Sequence, residues 1–271
     1  MTLRRPWSVS AHRLYSGCPR AWWLHNVGNV ELENTAESAR GIVMHAGLAA
    51  GYAQWDDCRR RGLAPAVTHR RVGDVVDSAI IEAAIRANVE DTLDLDEAYD
   101  TVMRALHYLG PQPGDFVIGT ETNMEIAVDG VPIVYRADVL YERNSVLVVR
   151  DWKSTVELPR SRDLTRNRQL ALGALCASRT YAPKRIDVEI ASINAAVAVS
   201  APIEVTAART AGSVVAATAR RAETDTKFTP TPGAVCAECK VRAYCPAFAP
   251  TGSALPTPGP DGQRAKGASV L

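Results

Sequence analysis

Three closely spaced runs rich in Val and Ile constrain the fold of this chain most strongly. They follow a break at residues 110–114, Gly-Pro-Gln-Pro-Gly, and cover residues 115–128, 131–141 and 145–153. Runs of this composition bounded by turn residues predict β-strands. Asp129-Gly130 between the first two runs is a strong signal for a two-residue hairpin turn, and Asn144-Ser145 is a weaker one between the second and third. The sequence therefore predicts a three-stranded meander.

The two predicted turns bring carboxylates next to each other. With a two-residue first turn, Glu121 stands opposite Asp138, and with a two-residue second turn, Asp138 stands opposite Asp151. Side chains paired in this way are about 5 Å apart. Lys153 follows Asp151 by two residues and therefore projects from the same face. We expect three acids and one lysine to line up across neighbouring strands.

A divalent cation would resolve the repulsion between these acids. Like charges directly opposite each other on a sheet are unfavourable, and burial beside valines makes them more so. Oxygen ligands suit Mg²⁺ or Mn²⁺. A cation held by Asp138 and Asp151 can bind a phosphate oxygen and lower the pKa of an attacking water, and Lys153 can position that water or stabilise the developing charge. The alternative is three surface strands with scattered acids; the agreement of the two registers, together with Lys153, favours the site.

The spacing of these residues resembles a known signature. Asp138, twelve intervening residues and Asp151-Trp152-Lys153 resemble the PD-(D/E)XK nuclease superfamily. The variant is similar to the RecB-like group, which includes the AddB nuclease domain and the CRISPR-associated RecB-like exonucleases. That group also carries a glycine-x-x-x-histidine upstream, which Gly41 and His45 match. The resemblance makes His45 a further metal ligand, although a single histidine on a helix is more often packed or solvated than a ligand.

The resemblance extends to other positions, with two departures. The family carries a glutamine early in the helix after the lysine strand, matched by Gln169, which the resemblance implies is a catalytic residue. The tyrosine usual four residues later is Gly173 here, so the chain lacks that contact or supplies it elsewhere. The glycine usual before the first aspartate is also absent, since residues 135–138 read Tyr-Arg-Ala-Asp. Glu121 stands where many relatives have a glutamate, which makes it a further metal ligand or an ordinary exposed strand residue.

Four of the six cysteines form a second constellation. They follow a C-x2-C-x5-C spacing near the end of the chain, plus one cysteine near its start: Cys236, Cys239, Cys245 and Cys18. Clustered thiolates are rarely left without a metal, and four could hold zinc or a 4Fe–4S cluster; the spacing leaves both open. One cysteine ahead of the nuclease core and three behind it is the pattern of the iron–sulfur nucleases among the same relatives, so the resemblance implies a 4Fe–4S cluster that ties the two ends together.

The other two cysteines, Cys58 and Cys176, are interpreted as core or incidental thiols. A disulfide framework is the remaining alternative, and the predicted cytoplasmic location argues against it. That location is predicted because the chain shows neither a signal peptide nor the roughly 20 apolar residues of a membrane helix.

The rest of the chain divides by pattern. Helices are predicted over residues 8–27, 36–55, 74–93, 96–109, 161–181 and 205–223, with strands near 186–199 and a cysteine-bearing loop region over 228–247. The predicted architecture is α/β: a restriction-endonuclease-like core, with a mixed sheet opened by the meander and flanked by helices. The predicted parts are an N-terminal helical segment (1–110), the nuclease core (111–204), a C-terminal helix with the cysteine region (205–247) and a disordered Pro-, Gly-, Ser- and Thr-rich tail (248–271).

The net charge of +1 means that any DNA must be held by a local basic patch. Four arginines follow Lys153 closely and could contact phosphates: Arg160, Arg162, Arg166 and Arg168. A solvated helix face balanced by Asp163 explains them equally well. Trp22 and Trp23 beside Cys18 could stack on bases, but a pair of this kind more often packs one helix against its neighbours.

The resemblance implies a metal-dependent exonuclease acting on DNA ends or single strands, in recombination, repair, or CRISPR-type or phage DNA processing. The motif of nucleotide-driven helicases, G-x4-G-K followed by Ser or Thr, is absent from the sequence, so unwinding needs a partner such as a helicase, recombination or CRISPR protein. Two alternatives stay open. One is a non-catalytic DNA-binding or scaffolding protein on the same fold, and the other is a zinc-bound interaction domain.

Overall fold

The computed structural model describes residues 6–28, 30 and 36–248. Nearly all of the tail predicted to be disordered, 248–271, lies outside the described residues. The helices are α1 Val9–Gly17, α2 Pro19–Asn26, α3 Ala36–Arg60, α4 Pro65–Ala87, α5 Leu95–Leu109, α6 Ser161–Leu164, α7 Arg168–Tyr181 and α8 Val205–Thr224. The strands are β1 Phe116–Val128, β2 Val131–Arg143, β3 Val146–Lys153, β4 Ile186–Ser192 and β5 Val197–Pro202, and two 3₁₀ turns cover Ala234–Cys236 and Arg242–Tyr244.

The five strands form one mixed sheet in the order β1-β2-β3-β4-β5. The β2–β3 and β4–β5 pairs are antiparallel, whereas β3 and β4 are parallel. A parallel pair needs a crossover connection, which α6 and α7 provide. The predicted mixed sheet with a meander and flanking helices is confirmed.

Both turns of the meander have the predicted length. Asp129 and Gly130 have φ values of 49° and 79°, and Asn144 and Ser145 have φ values of 50° and 61°. Positive φ at both central residues defines the type I′ turn, whose twist matches that of the two strands it joins. Val139 pairs with Arg150 and Leu140 with Val149, which is the register predicted for β2 and β3.

Several predicted helix boundaries are wrong, for local reasons. The helix predicted over 8–27 is two helices, because Cys18 takes an extended conformation and Pro19, which has no N–H to donate, starts a new helix. The helix predicted over 161–181 is also two, since the Asn167 side chain accepts from the backbone N–H groups of Gln169 and Leu170 and thereby caps α7.

The helix predicted over 74–93 is displaced in the structure. Pro65 starts α4 nine residues earlier, and the helix ends at Ala87 because Asn88 adopts the left-handed conformation. By contrast, Ser8 caps α1 as predicted, accepting from the backbone N–H of Ala11 at 3.1 Å. Helix α5, Leu95–Leu109, matches its prediction to within one residue.

The chain divides into two compact units. The larger unit comprises Asn34–Ile126 and Val134–Gly212, and the smaller comprises Met1–Glu33, Ala127–Ile133 and Ser213–Leu271. The core of the larger unit lies between α3, α4, α5 and one face of the sheet, and includes Met44, Val76 and Trp152. Within the described ranges, no helix combines the length and the apolar character that crossing a membrane requires.

The smaller unit has an aromatic core. Trp22 is buried and stacks on Trp7 and Phe228, with ring centroids 5.2 Å and 5.9 Å away. The interpretation of Trp22 as a packing residue is therefore confirmed. A second apolar cluster, made of Ala21, Leu24, Val30 and Val241, lies beside Cys18 and Cys239.

Candidate active site

Three side chains that can bind a metal converge in the larger unit. They are His45 on α3, Glu121 on β1 and Asp138 on β2, and one ligand atom from each lies within 4.8 Å of the other two. The Nδ1 atom of His45 is 3.7 Å from Oδ2 of Asp138. We call these three residues the ligand triad. All three were predicted as metal ligands from the sequence.

Asp138 is held where the main-chain pairing of β2 with β3 ends. The last paired residues are Val139 and Arg150, and next to them the backbone N–H of Trp152 donates to Oδ2 of Asp138 at 2.6 Å. Burial and, to a smaller extent, the negative charge of Asp151 together raise the pKa of Asp138 to about 7. The carboxylate of Asp138 is therefore poorly compensated by the protein itself.

Burial also shifts the pKa values of the other two members of the triad, His45 and Glu121. Burial lowers the pKa of His45, so its ring is neutral at pH 7 and keeps a lone pair for a metal. Burial raises the pKa of Glu121, and the nearby charge of Arg136 opposes that shift. Glu121 also has a φ of 47° inside β1, a conformation that the strand pattern did not predict.

Asp151 lies beside the triad rather than in it. Its Oδ1 accepts from Nε2 of Gln169 at 2.6 Å, and its Oδ2 is 2.7 Å from Nζ of Lys153. Asp151 is buried, while the Lys153 side chain is 40% exposed. The structure thus brings together Asp151, Lys153 and Gln169, which were predicted as catalytic residues, and Asp151 is close enough to Asp138 for its charge to raise the pKa of that group.

Arg136 is a site residue that the sequence analysis missed. Its Nε is 2.9 Å from Oε2 of Glu121. Its position two residues before Asp138 was the available signal, because alternate residues of a strand share a face. The guanidinium compensates Glu121 and also opposes the rise of the Asp138 pKa.

Comparison with known proteins identifies the family. The model of the PD-(D/E)XK nuclease superfamily matches residues 6–246. The chain belongs to the PD-(D/E)XK nuclease superfamily. No curated protein matches the chain. Among solved structures, the crystal structure of SSO0001 is 18% identical with a TM-score of 0.31, and the match covers 60% of this chain and 81% of that one. A likeness this weak does not bear on function.

The arginines predicted to bind DNA in this PD-(D/E)XK chain are all exposed. Arg160 precedes α6, Arg162 lies in it, Arg166 follows it and Arg168 begins α7. Nε of Arg162 is 4.0 Å from Oδ1 of Asp163, so the balancing contact considered from the sequence exists at this position. Contact of these arginines with DNA stays a prediction.

The smaller unit of the PD-(D/E)XK chain gathers the four predicted cluster cysteines. Cys18 lies between α1 and α2, and the other three lie in or beside the two 3₁₀ turns. Burial raises the pKa of the Cys239 thiol, and the charges of Cys18, Cys236 and Cys245 raise it further. Backbone N–H groups of Thr231 and Gly233 donate to the sulfurs of Cys18 and Cys236, at 3.5 Å and 3.4 Å.

All six cysteines are free thiols, so the disulfide alternative is not found. Cys58 and Cys176 are fully buried, as expected for core thiols.

Proposed function

We propose that this chain is a metal-dependent DNA exonuclease that hydrolyses phosphodiester bonds at DNA ends or in single strands. The observation that carries the proposal is the ligand triad beside Asp151 and Lys153, in a chain of the PD-(D/E)XK nuclease superfamily. The order and spacing of Asp138, Asp151 and Lys153 match the superfamily's signature, and His45 fits the RecB-like group in particular.

The residues present fit Mg²⁺ or Mn²⁺. A neutral imidazole and two carboxylates offer the nitrogen and oxygen donors that these ions accept, with Mn²⁺ the more tolerant of nitrogen. The raised pKa values of Asp138 and Glu121 also indicate a surplus of buried negative charge that a cation would neutralise. Asp151 is the fourth ligand in this proposal. When bound, the cation would polarise the scissile phosphate and lower the pKa of the attacking water.

The remaining side chains have defined roles in the proposal. Lys153 holds Asp151 and presents an exposed ammonium group that can orient the attacking water or stabilise charge on the phosphate. Gln169 fixes the Asp151 carboxylate from the start of α7. The exposed arginines of residues 160–168 guide the DNA backbone by charge. Together these side chains hold the Asp151 carboxylate, orient the attacking water, stabilise charge on the phosphate and guide the DNA backbone.

We propose that the four cysteines hold a 4Fe–4S cluster, which links the segments near the two ends of the chain and has a structural role. Four thiolates suit a 4Fe–4S cluster or a single zinc ion, and the resemblance to the iron–sulfur nucleases favours the cluster. The backbone N–H groups that donate to Cys18 and Cys236 support thiolates in either case. Metal binding of this kind contributes directly to folding free energy.

The proposed setting is DNA recombination, repair, or CRISPR-type or phage DNA processing in the cytoplasm. A helicase, recombination or CRISPR partner protein would supply unwinding, because the sequence carries no phosphate-binding loop of the G-x4-G-K type. The proposed parts keep the boundaries drawn from the sequence: the helical segment 1–110, the nuclease core 111–204 and the cysteine region 205–247.

A cleavage assay tests the proposal. Linear duplex, single-stranded and covalently closed circular DNA are incubated with the protein and Mg²⁺ or Mn²⁺, with a chelator as blank. We expect linear and single-stranded DNA to be degraded and closed circles to survive. Lys153→Ala should lose about 10²-fold or more in rate, whereas Lys184→Ala, at an exposed lysine outside the site, should not.

Three results would reject parts of this proposal. Equal cleavage by the wild type and Lys153→Ala would reject the role of Lys153. DNA binding without cleavage, in either metal, would favour a non-catalytic DNA-binding protein. An anaerobically purified, colourless protein with stoichiometric zinc would reject the iron–sulfur cluster, which should instead give a brown colour with broad absorption near roughly 400 nm.

A further inference from the structure

Tyr135 is a buried residue whose hydroxyl group has no hydrogen-bond partner. It lies on β2, three residues before Asp138, and is 5% exposed. A buried polar group without a partner is unfavourable and uncommon in native proteins. When such a group lies near a functional site, we expect it to form a hydrogen bond in another state of that site.

Gly173 provides the space that the Tyr135 ring occupies. A Cβ atom built on Gly173 would lie 2.6 Å from Cζ of Tyr135, 2.7 Å from Cε1 and 2.9 Å from the hydroxyl oxygen. Real Cβ atoms essentially never approach other atoms so closely. Any larger residue at position 173 would therefore have to displace the ring.

This space lies beside the side chain that holds Asp151. Gly173 follows Gln169 by four residues on α7, so both lie on the same face of the helix, one turn apart. Gln169 donates to Oδ1 of Asp151 at 2.6 Å. The ring of Tyr135 therefore lies next to the helix turn that positions Asp151.

The electrostatics of the phenol agree with this placement. Burial raises the pKa of Tyr135 well above its usual value, and the charges of Asp151 and Asp138 raise it further. The phenol is therefore protonated at all working pH values and remains a hydrogen-bond donor. A donor beside two carboxylates stabilises their charged forms when it bonds to them.

We infer that Tyr135 is a positioning residue whose hydroxyl donates to the Asp151 carboxylate when the site holds a divalent cation. The inference rests on the proposed function. Each oxygen of a carboxylate can accept more than one hydrogen bond, so the bonds from Gln169 and Lys153 do not exhaust Asp151. The Tyr135 ring, which comes from the sheet, occupies the space that the absent side chain of Gly173 leaves open.

Mn²⁺ binding by Tyr135→Phe tests the inference. Phenylalanine keeps the ring that fills the space at Gly173 and removes only the hydroxyl. We expect Mn²⁺ to bind the full-length variant about tenfold more weakly by titration calorimetry, since groups that support metal ligands have effects of this size. The metal-free variant should melt at the same or a higher temperature than the wild type, because an unpartnered buried hydroxyl has been removed.

Tyr52→Phe is the matched control. Tyr52 on α3 also has a fully buried hydroxyl without a hydrogen-bond partner, and it lies in the core rather than in the site. We expect its removal to leave Mn²⁺ affinity unchanged. If Tyr135→Phe binds Mn²⁺ like the wild type, the hydroxyl only fills space and the inference is overturned while the proposed function stands. If the wild type binds no Mn²⁺, both are overturned.

Substitution of Gly173 tests the shared space separately. Gly173→Ala should lower the melting temperature and weaken Mn²⁺ binding in the wild-type background, because the new Cβ displaces the ring. In a Tyr135→Ala background the same change should be neutral or stabilising, since alanine favours helix over glycine. Equal effects of Gly173→Ala in both backgrounds would show that the ring does not occupy this space and would overturn the inference.

Discussion

The ligand triad and the four cysteines are both candidate metal sites, and they are built in different ways. His45, Glu121 and Asp138 come from a long helix and two strands whose other side chains form a large core. The cysteines come from a helix junction and short 3₁₀ turns near opposite ends of the chain, beside a small apolar cluster. We therefore predict that the larger unit folds without a metal, and that the proposed cluster, if the cysteines hold it, contributes to the stability of the smaller unit.

The largest expected effect is a loss of DNA cleavage when the ligand triad is changed. Asp138→Asn keeps the size of the side chain and an acceptor for the Trp152 N–H, but it removes the negative charge. DNA cleavage should fall by about 10³-fold or more, because a catalytic metal contributes several kcal/mol to transition-state stabilisation. Rates measured on linear DNA in Mn²⁺ would test this.

The control for that substitution is Glu142→Gln, which removes an exposed carboxylate from the same strand. It should retain wild-type cleavage. Iron content should be unchanged in both variants, and loss of iron from Asp138→Asn would break the proposed independence of the two sites.

The second largest effect belongs to the cysteines. Cys239→Ser should reduce the apparent affinity for the cluster metal by more than about 100-fold, above the range typical of losing a group that only supports a ligand. The variant should also melt at a lower temperature, because metal binding contributes folding free energy. Iron analysis and calorimetric melting of anaerobic protein would measure both.

Cys176→Ala serves as the matched control, since Cys176 is a buried thiol of the other unit. It should keep its full iron content. If Cys239→Ser retains iron as well as Cys176→Ala does, the smaller unit holds no cysteine-ligated metal.

The pH dependence of Mn²⁺ binding sharpens the comparison further. With a pKa of about 7, Asp138 is protonated below that pH, and the proton competes with the metal. Mn²⁺ affinity should therefore fall by about tenfold per pH unit below 7 and level off above it. His45 adds no competition at neutral pH, because burial lowers its pKa. Titration calorimetry from about pH 5.5 to about pH 8, a range that spans the titration of this carboxyl, would measure how Mn²⁺ affinity changes with pH. An affinity that stays constant over this range would contradict the assignment of Asp138 as a metal ligand.

The smallest expected effect concerns the exposed arginines. Arg166→Ala should weaken DNA binding a few-fold and reduce the slope of log affinity against log salt by about 1, as expected for one lost phosphate contact. Arg209→Ala, an exposed arginine on α8, is the control. Identical salt slopes for both variants would show that residues 160–168 do not form the DNA patch.

Local chemistry explains which features the sequence could predict. The β2–β3 register and both turns follow from short-range signals, Asp129-Gly130 and Asn144-Ser145, and the structure confirms them. The helix breaks at Pro19 and Asn167 also have local signals, but the apolar pattern runs through both positions and predicts one continuous helix in each case. The predicted hairpin register placed Glu121 opposite Asp138, and the resemblance to the PD-(D/E)XK nucleases added His45 as a further ligand.

Other features depend on tertiary packing that no local pattern encodes. Glu121 has a positive φ within a strand, and Arg136 forms an ion pair with it. The fit between the Tyr135 ring and Gly173 joins a strand to a helix across almost forty residues. Only the folded chain reveals that the Tyr135 ring occupies the space left by the absent side chain at Gly173.

Anomalous diffraction from crystals grown with Mn²⁺ tests the central claim most directly. The account predicts a manganese peak within about 2.5 Å of His45 and of the carboxylates of Glu121 and Asp138. A peak located elsewhere in the larger unit, or no peak at saturating Mn²⁺, would contradict the claim that these three side chains grip a divalent cation.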